Sequence, residues 1–91
     1  MSITVRIPAQ LRVLTGGAGE VTTATGTVRD VIASLETSYP GFAERLLDES
    51  GALRRFVNLF VADEDVRFLD GLDTKVSDGQ TLSVVPAVAG G

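Results

Sequence analysis

The chain predicts an α+β fold in which one main helix lies across one face of a small mixed sheet. Apolar residues alternate at Ile3, Val5 and Ile7, and again at Leu82 and Val84, which is the period of half-buried strands. Between these stretches Val28, Val31, Ile32 and Leu35 fall at i, i+3, i+4 and i+7, the single apolar stripe of a core helix. The chain has 91 residues, enough for one core and too few for a second. One domain spanning 1–91 is expected, with a flexible C-terminal tail at 86–91.

Residues 2–8 form the first strand, with Thr4, Arg6 and Pro8 opposite the apolar side. Residues 9–14 then suit a helical turn, since Leu11 and Leu14 are three apart and can pack together on the sheet edge. The run Thr15-Gly16-Gly17-Ala18-Gly19 breaks it. This run has neither a complete G-x-G-x-x-G nor a Gly-Lys-Ser/Thr ending, so it reads as a hairpin loop and not a phosphate cradle. Residues 20–25 are rich in β-branched side chains and make a second strand, antiparallel to the first.

Thr27 opens the helix. It can accept from the free amides of the first turn while Asp30 reaches back, and the carboxylate also suits the positive end. The helix runs to about Ser38, with Arg29, Asp30, Glu36 and Thr37 outside, and Pro40 and Gly41 stop it. A short helical turn at 42–47 carries Phe42 and Leu46 inward.

Residues 56–62 form an apolar strand with two greasy faces: Val57, Leu59 and Val61 alternate with Phe56, Asn58 and Phe60. One face packs on the helix. The other either meets a second layer or stands open as a docking patch. Asp63, Glu64 and Asp65 lack the alternation and glycine of a calcium loop and read as a solvated turn. A short strand is expected at 66–69, turns at 70–73 and 76–79, and a last strand at 81–85 with Leu82 and Val84 inward and Ser83 and Val85 outward.

Composition narrows the function. The sequence has no cysteine and no histidine, so there is no disulfide, thiolate nucleophile, Ser-His-Asp or Cys-His arrangement, and no sulfur-based zinc site. A self-contained enzyme would have to draw on carboxylates, Lys75 or Tyr39. The net charge of −4 disfavours a nucleic-acid partner. No apolar run reaches membrane-spanning length, and the opening residues begin a strand and not a signal peptide. A cytoplasmic location, with neither nucleic acid nor membrane as partner, is the expectation.

The closing residues Pro86-Ala87-Val88-Ala89-Gly90-Gly91 hold the candidate site. Glycine has no Cβ and can enter narrow clefts, and Pro86 cannot donate to a ladder and so suits the last position of a strand. A mobile, reachable tail is expected, with the α-carboxylate of Gly91 as its working group.

Several stretches together resemble the ThiS/MoaD sulfur-carrier family. They are the pattern from Ile3 through Pro8-Ala9-Gln10-Leu11-Arg12-Val13-Leu14-Thr15-Gly16, the helix from Thr27, Val57-Asn58, and the run from Val76-Ser77-Asp78-Gly79 through the last strand to Gly90-Gly91. Arg54-Arg55-Phe56-Val57-Asn58 and the closing six residues look most like the branch serving cysteine biosynthesis. The resemblance implies a ubiquitin-like β-grasp fold and a carrier that is not itself an enzyme. An E1-like adenylyltransferase/sulfurtransferase would use ATP and magnesium to adenylate Gly91, and sulfur would then replace the adenylate to give a thiocarboxylate. A PLP-dependent cysteine synthase would take up that sulfur, and a metalloprotease would release the cysteine formed. No cofactor would be bound by the chain itself.

The resemblance also implies tail recognition through Gly90, Ala89 and Val88, and body docking through Val85 and Pro86, with Val61 and Pro8 nearby. It assigns no metal ligand. Arg54 and Arg55 could meet acidic partner residues or only solvent. A carrier for molybdopterin or thiamine thiazole synthesis, a ubiquitin-like modifier joined through Gly91 to a lysine, and a binding module with an inert tail remain as alternatives.

Overall fold

A computed structural model describes residues 1–86. The expected alternation produces a five-stranded sheet in the order β2-β1-β7-β4-β5, formed by β1 (Ser2–Arg6), β2 (Glu20–Ala24), β4 (Val57–Val61), β5 (Glu64–Asp65) and β7 (Thr81–Pro86). β1 pairs antiparallel with β2 and parallel with β7, and β7 pairs antiparallel with β4. The last strand thus lies in the middle of the sheet. A two-stranded ladder of β3 (Gly26–Thr27) and β6 (Lys75–Val76), which the sequence pattern did not reveal, stands beside the start of the main helix.

That helix, α1 (Val28–Ser38), begins as its sequence dictates. The Thr27 hydroxyl accepts from Asp30 N at 3.1 Å and the Asp30 carboxylate accepts from Thr27 N at 3.1 Å, a complete capping box. Val28, Val31, Ile32 and Leu35 are all buried and meet Ile3, Val5, Leu59, Leu82 and Val84 from the sheet in one core. Glu36 is half-buried, not solvated as expected: its carboxylate accepts from Gly41 N at 3.0 Å and Ala43 N at 2.9 Å. It therefore holds the start of α2 (Phe42–Leu46), whose Phe42 and Leu46 point into the core as predicted. Gly41 is required between the helices, because its φ is +116° and a Cβ there would come within 2.9 Å of Leu14.

One local expectation is refined and one is corrected. Residues 9–15 form a 3₁₀ helix (Ala9–Thr15) that buries Leu11, which refines the expected turn. The strand expected at 66–69 is instead the pair Glu64–Asp65 followed by a 3₁₀ turn, Val66–Phe68. The cause is the β4–β5 turn, where Ala62 (φ 52°) and Asp63 (φ 70°) both adopt left-handed angles. Such a tight two-residue reversal starts the return strand at Glu64, and Asp65 then caps the next turn by accepting from Arg67 N.

Pleating separates the two sheet faces. Val57, Leu59 and Val61 are buried, while Asn58 and Phe60 are half-buried on the other side. The outward residues of β1, β2 and β7 are likewise exposed or half-buried. No second layer covers this face among the described residues. The alternative that the sequence left undecided resolves to an open face, and the whole arrangement is the β-grasp that the resemblance implied.

Two outcomes follow. Thr27→Ala removes one half of the capping box and is expected to cost about 1 kcal/mol, read as a thermal midpoint lower by roughly 4–8 °C. The Asp48 carboxylate accepts from the Ser50 hydroxyl, Ser50 N and Ala52 N, and these bonds, the hydroxyl foremost, hold its pKa below the ordinary 3.8. A lowered folded-state pKa contributes stability above the unfolded value and loses it as pH falls. Urea titrations of wild type and Asp48→Ala should therefore differ most above pH 3.8 and converge below it.

Candidate functional site

The site is built around the end of β7. Beyond Ser83 the strand keeps only β4 as a paired neighbour, because β1 ends at Arg6 and the chain turns into the Ala9–Thr15 helix. The last pair is Val57↔Pro86. Proline has no N–H to extend a ladder, and Pro86 is the last residue of β7 among the described residues, where the sequence had also counted it as the first of the tail.

The four docking candidates separate once the register is known. Val85 lies opposite Asn58 on the open face and is 45% exposed. Pro8 is half-buried and extended (φ −68°, ψ 156°), two residues past the end of β1, whose last pair with β7 is Arg6↔Ser83. Pro86 is half-buried at the strand end. Val61 is only 5% exposed and pairs with Leu82 on the core side. Its placement on the docking face is therefore corrected: the period of two turns Val61 inward, and its neighbour Phe60 takes the open side. Gly91, Gly90, Ala89 and Val88, with the expected mobility of the tail, lie outside the described residues.

The open face grades from polar to apolar. At the β1–β2 side Arg6 and Glu20 form an exposed ion pair at 3.6 Å, while at the β4–β7 side Phe60, Val85 and Pro8 supply apolar surface. Next to it lies a feature absent from the sequence reading. The Arg67 guanidinium donates to Asn58 Oδ1 at 2.7 Å, to the Val57 carbonyl at 2.7 Å and to the Arg54 carbonyl at 2.9 Å. β5 pairs with β4 only at Phe60 and Val61, so Arg67 occupies the stretch of edge that β5 does not reach. It binds the 54–57 turn to the strand against which β7 ends. A chain-local period could not show this, because the contacts reach back 9 to 13 residues.

Among the described residues no three His, Cys, Asp or Glu side chains are gathered to hold a metal ion, and no helix is long and apolar enough to cross a membrane. Of the acids in the 63–65 run, Asp65 is engaged by the Arg67 amide.

The geometry defines a β-grasp domain of the kind whose last strand delivers the chain end from the centre of the sheet. The ThiS family model matches residues 5–91, and the chain belongs to that family. It is 50% identical over 93 residues to the sulfur carrier protein CysO of Mycobacterium tuberculosis, covering all of both chains. It superposes at a TM-score of 0.92, with 47% identity and coverage of 98% of this chain and 99% of the other, on a chain in the crystal structure of the Amycolatopsis orientalis BexX/CysO complex. Small archaeal modifier protein 3 of Haloferax volcanii is 46% identical over 65 residues, which is 71% of this chain and 70% of that protein.

Asp substitution should distinguish the two faces. Val61→Asp buries an unpaired carboxylate and is expected to cost on the order of 4 kcal/mol or more, visible as loss of the cooperative thermal transition. Val85→Asp places the same charge in solvent and should leave that transition within a few degrees of wild type. Equal damage at both positions would contradict the assigned faces.

Proposed function

We propose that this chain is a sulfur carrier for cysteine biosynthesis, a protein-bound substrate of other enzymes, with the α-carboxylate of Gly91 as the group charged and discharged. The observation that carries the reading is the end-to-end match at 50% identity to a sulfur carrier protein CysO, together with a family match that runs through Gly91. The absence of cysteine and histidine from the sequence agrees with it, because a carrier needs neither.

A carboxylate resists nucleophiles because its charge is spread over two oxygens. An E1-like partner removes this obstacle: a Gly91 oxygen attacks the α-phosphorus of magnesium-bound ATP and pyrophosphate leaves. A sulfur nucleophile then attacks the acyl carbon, and AMP leaves with the carboxylate oxygen. With hydrosulfide as that nucleophile, loss of its proton leaves a thiocarboxylate, a soft nucleophile at neutral pH. A cysteine synthase that uses pyridoxal phosphate would take up that sulfur into a cysteinyl adduct of the carrier, and a metalloprotease would hydrolyse the resulting amide at Gly91 to free the cysteine.

Gly90, Ala89 and Val88 suit a narrow channel because their side chains are small. Fixing residues 87–91 in such a channel costs about 1–2 kcal/mol per residue. Contacts on the body must offset that cost, and Val85, Pro86 and Pro8, with Phe60 added by the register, are the surface we assign to this. A cytoplasmic location accords with the ATP the partner consumes.

Incubation with the E1-like enzyme, ATP, magnesium and a sulfur donor should shift the intact mass by one oxygen replaced with one sulfur. A version lacking Gly90 and Gly91 should show no shift and deliver no sulfur to cysteine. The similarity to a small archaeal modifier protein supports a second reading, attachment to lysines. Under that reading Gly91 would be recovered in isopeptide linkage to other proteins.

A further inference from the structure

We propose that the 54–57 turn, clamped by Arg67, is a recognition element for the enzyme that adenylates Gly91, and that it fits an apolar pocket rimmed by carboxylates. This rests on the carrier reading above. Phe56 is 65% exposed and stands in this turn between Arg55 and the start of β4. Exposed aromatics flanked by arginine are the residue types that anchor protein interfaces.

The charge is unusual for this molecule. The chain carries 12 acidic and 8 basic residues, and two of the basic ones, Arg6 and Arg29, have carboxylates within 4 Å. Arg55, like Arg12, Arg45 and Lys75, has none among the described residues. The Arg67 guanidinium is spent on two carbonyls and an amide oxygen, neutral acceptors that leave its charge uncancelled. Arg54 donates to the Glu44 carbonyl and also stabilises the Asp48 carboxylate, so Arg55 and Arg67 are the freer cations of this turn. Three of the eight basic residues, Arg54, Arg55 and Arg67, thus gather at one turn of an acidic domain, and the complementary surface is acidic.

Geometry ties this turn to the tail. Val57 N donates to the Arg54 carbonyl at 3.1 Å, closing the turn, and Val57 is the partner of Pro86. Arg67 holds both ends, so the turn is fixed relative to the point where the chain leaves β7. A partner gripping Phe56 and Arg55 fixes the origin of residues 87–91. Arg67 acts as a positioning residue.

The experiment measures the initial rate of conversion by intact mass, with the E1-like enzyme, ATP, magnesium and a sulfur donor, over a range of carrier concentrations. Wild type is compared with Arg55→Glu, Phe56→Ser, Arg67→Ala and Lys75→Glu. Lys75→Glu makes the same charge change as Arg55→Glu at an exposed residue of β6, beside the start of α1. Contacts made equally in ground and transition states affect KM alone. Arg55→Glu and Phe56→Ser should therefore raise KM about tenfold with kcat within about twofold, and Lys75→Glu should match wild type.

Added salt should raise the wild-type KM and affect Arg55→Glu less. Arg67→Ala should raise KM and speed hydrogen exchange at the Val57 amide, a change that loss of charge alone would not produce. A KM for Arg55→Glu equal to that of Lys75→Glu, with wild type converted normally, overturns this inference and leaves the carrier reading standing. No conversion of wild type overturns both.

Discussion

The pairing of β7 with β1 is the constraint on which the rest of the molecule depends. It joins the two ends of the chain, with Val5 beside Leu82 and Ser2 N donating to Asp78 Oδ1 across 76 residues of sequence. Such distant contacts form only after loop entropy has been overcome. Once formed they put the last strand inside the sheet. β4 can then pair on its other side, and α1 has a continuous apolar surface on which to lie. An edge strand could also have delivered a free chain end, but it would have been held by one neighbour and exposed to unwanted pairing. A central strand supports the exit point from both sides until Ser83, and from β4 and the Arg67 clamp after it.

This placement suits a protein whose reactivity lies in its main chain. The described residues gather no three metal-ligating side chains, the sequence holds no cysteine or histidine, and the chemistry we assign needs none from the body. What the body supplies is orientation. The core side of β7, with Leu82 and Val84, fixes the strand, while Val85 on the open side is exposed. A single strand thereby carries the core on one face and the surface we assign to docking on the other, and the period of two keeps these sets of side chains apart.

The sequence disclosed whatever is periodic or local. The helix stripe, the Thr27–Asp30 box and the inward set Ile3, Val5, Leu82 and Val84 each follow from spacing within a few residues, and the structure places them as read. Long-range contacts were hidden. The β3–β6 ladder is two residues long on each side, too short for alternation to register. Glu36 looked like an exposed helix residue because its partners, Gly41 N and Ala43 N, lie past a chain reversal. Phe60 and Val61 are both apolar, so only the register with β7 could tell the docking face from the core. Arg67 was assigned to a strand because Val66, Phe68 and Leu69 suggest one, whereas its role depends on the fold returning it to Asn58.

The Arg67 clamp also bears on how partner choice could change while the fold is kept. The bonds that define the 54–57 turn are made by one guanidinium to two main-chain carbonyls and to Asn58. The carbonyl bonds are independent of which side chains stand at Arg55 and Phe56. Both residues are exposed, and neither belongs to the core. Substitution there alters charge and contact at little cost in stability, whereas substitution at Val57 or Leu59 disturbs the sheet. A carrier of this design can therefore retain one tail and one chemistry while the neighbouring turn is altered to suit a particular enzyme. Discrimination among clients that share the same chain end would then arise from side chains a few residues away in space, held at a fixed distance from the point where the tail begins.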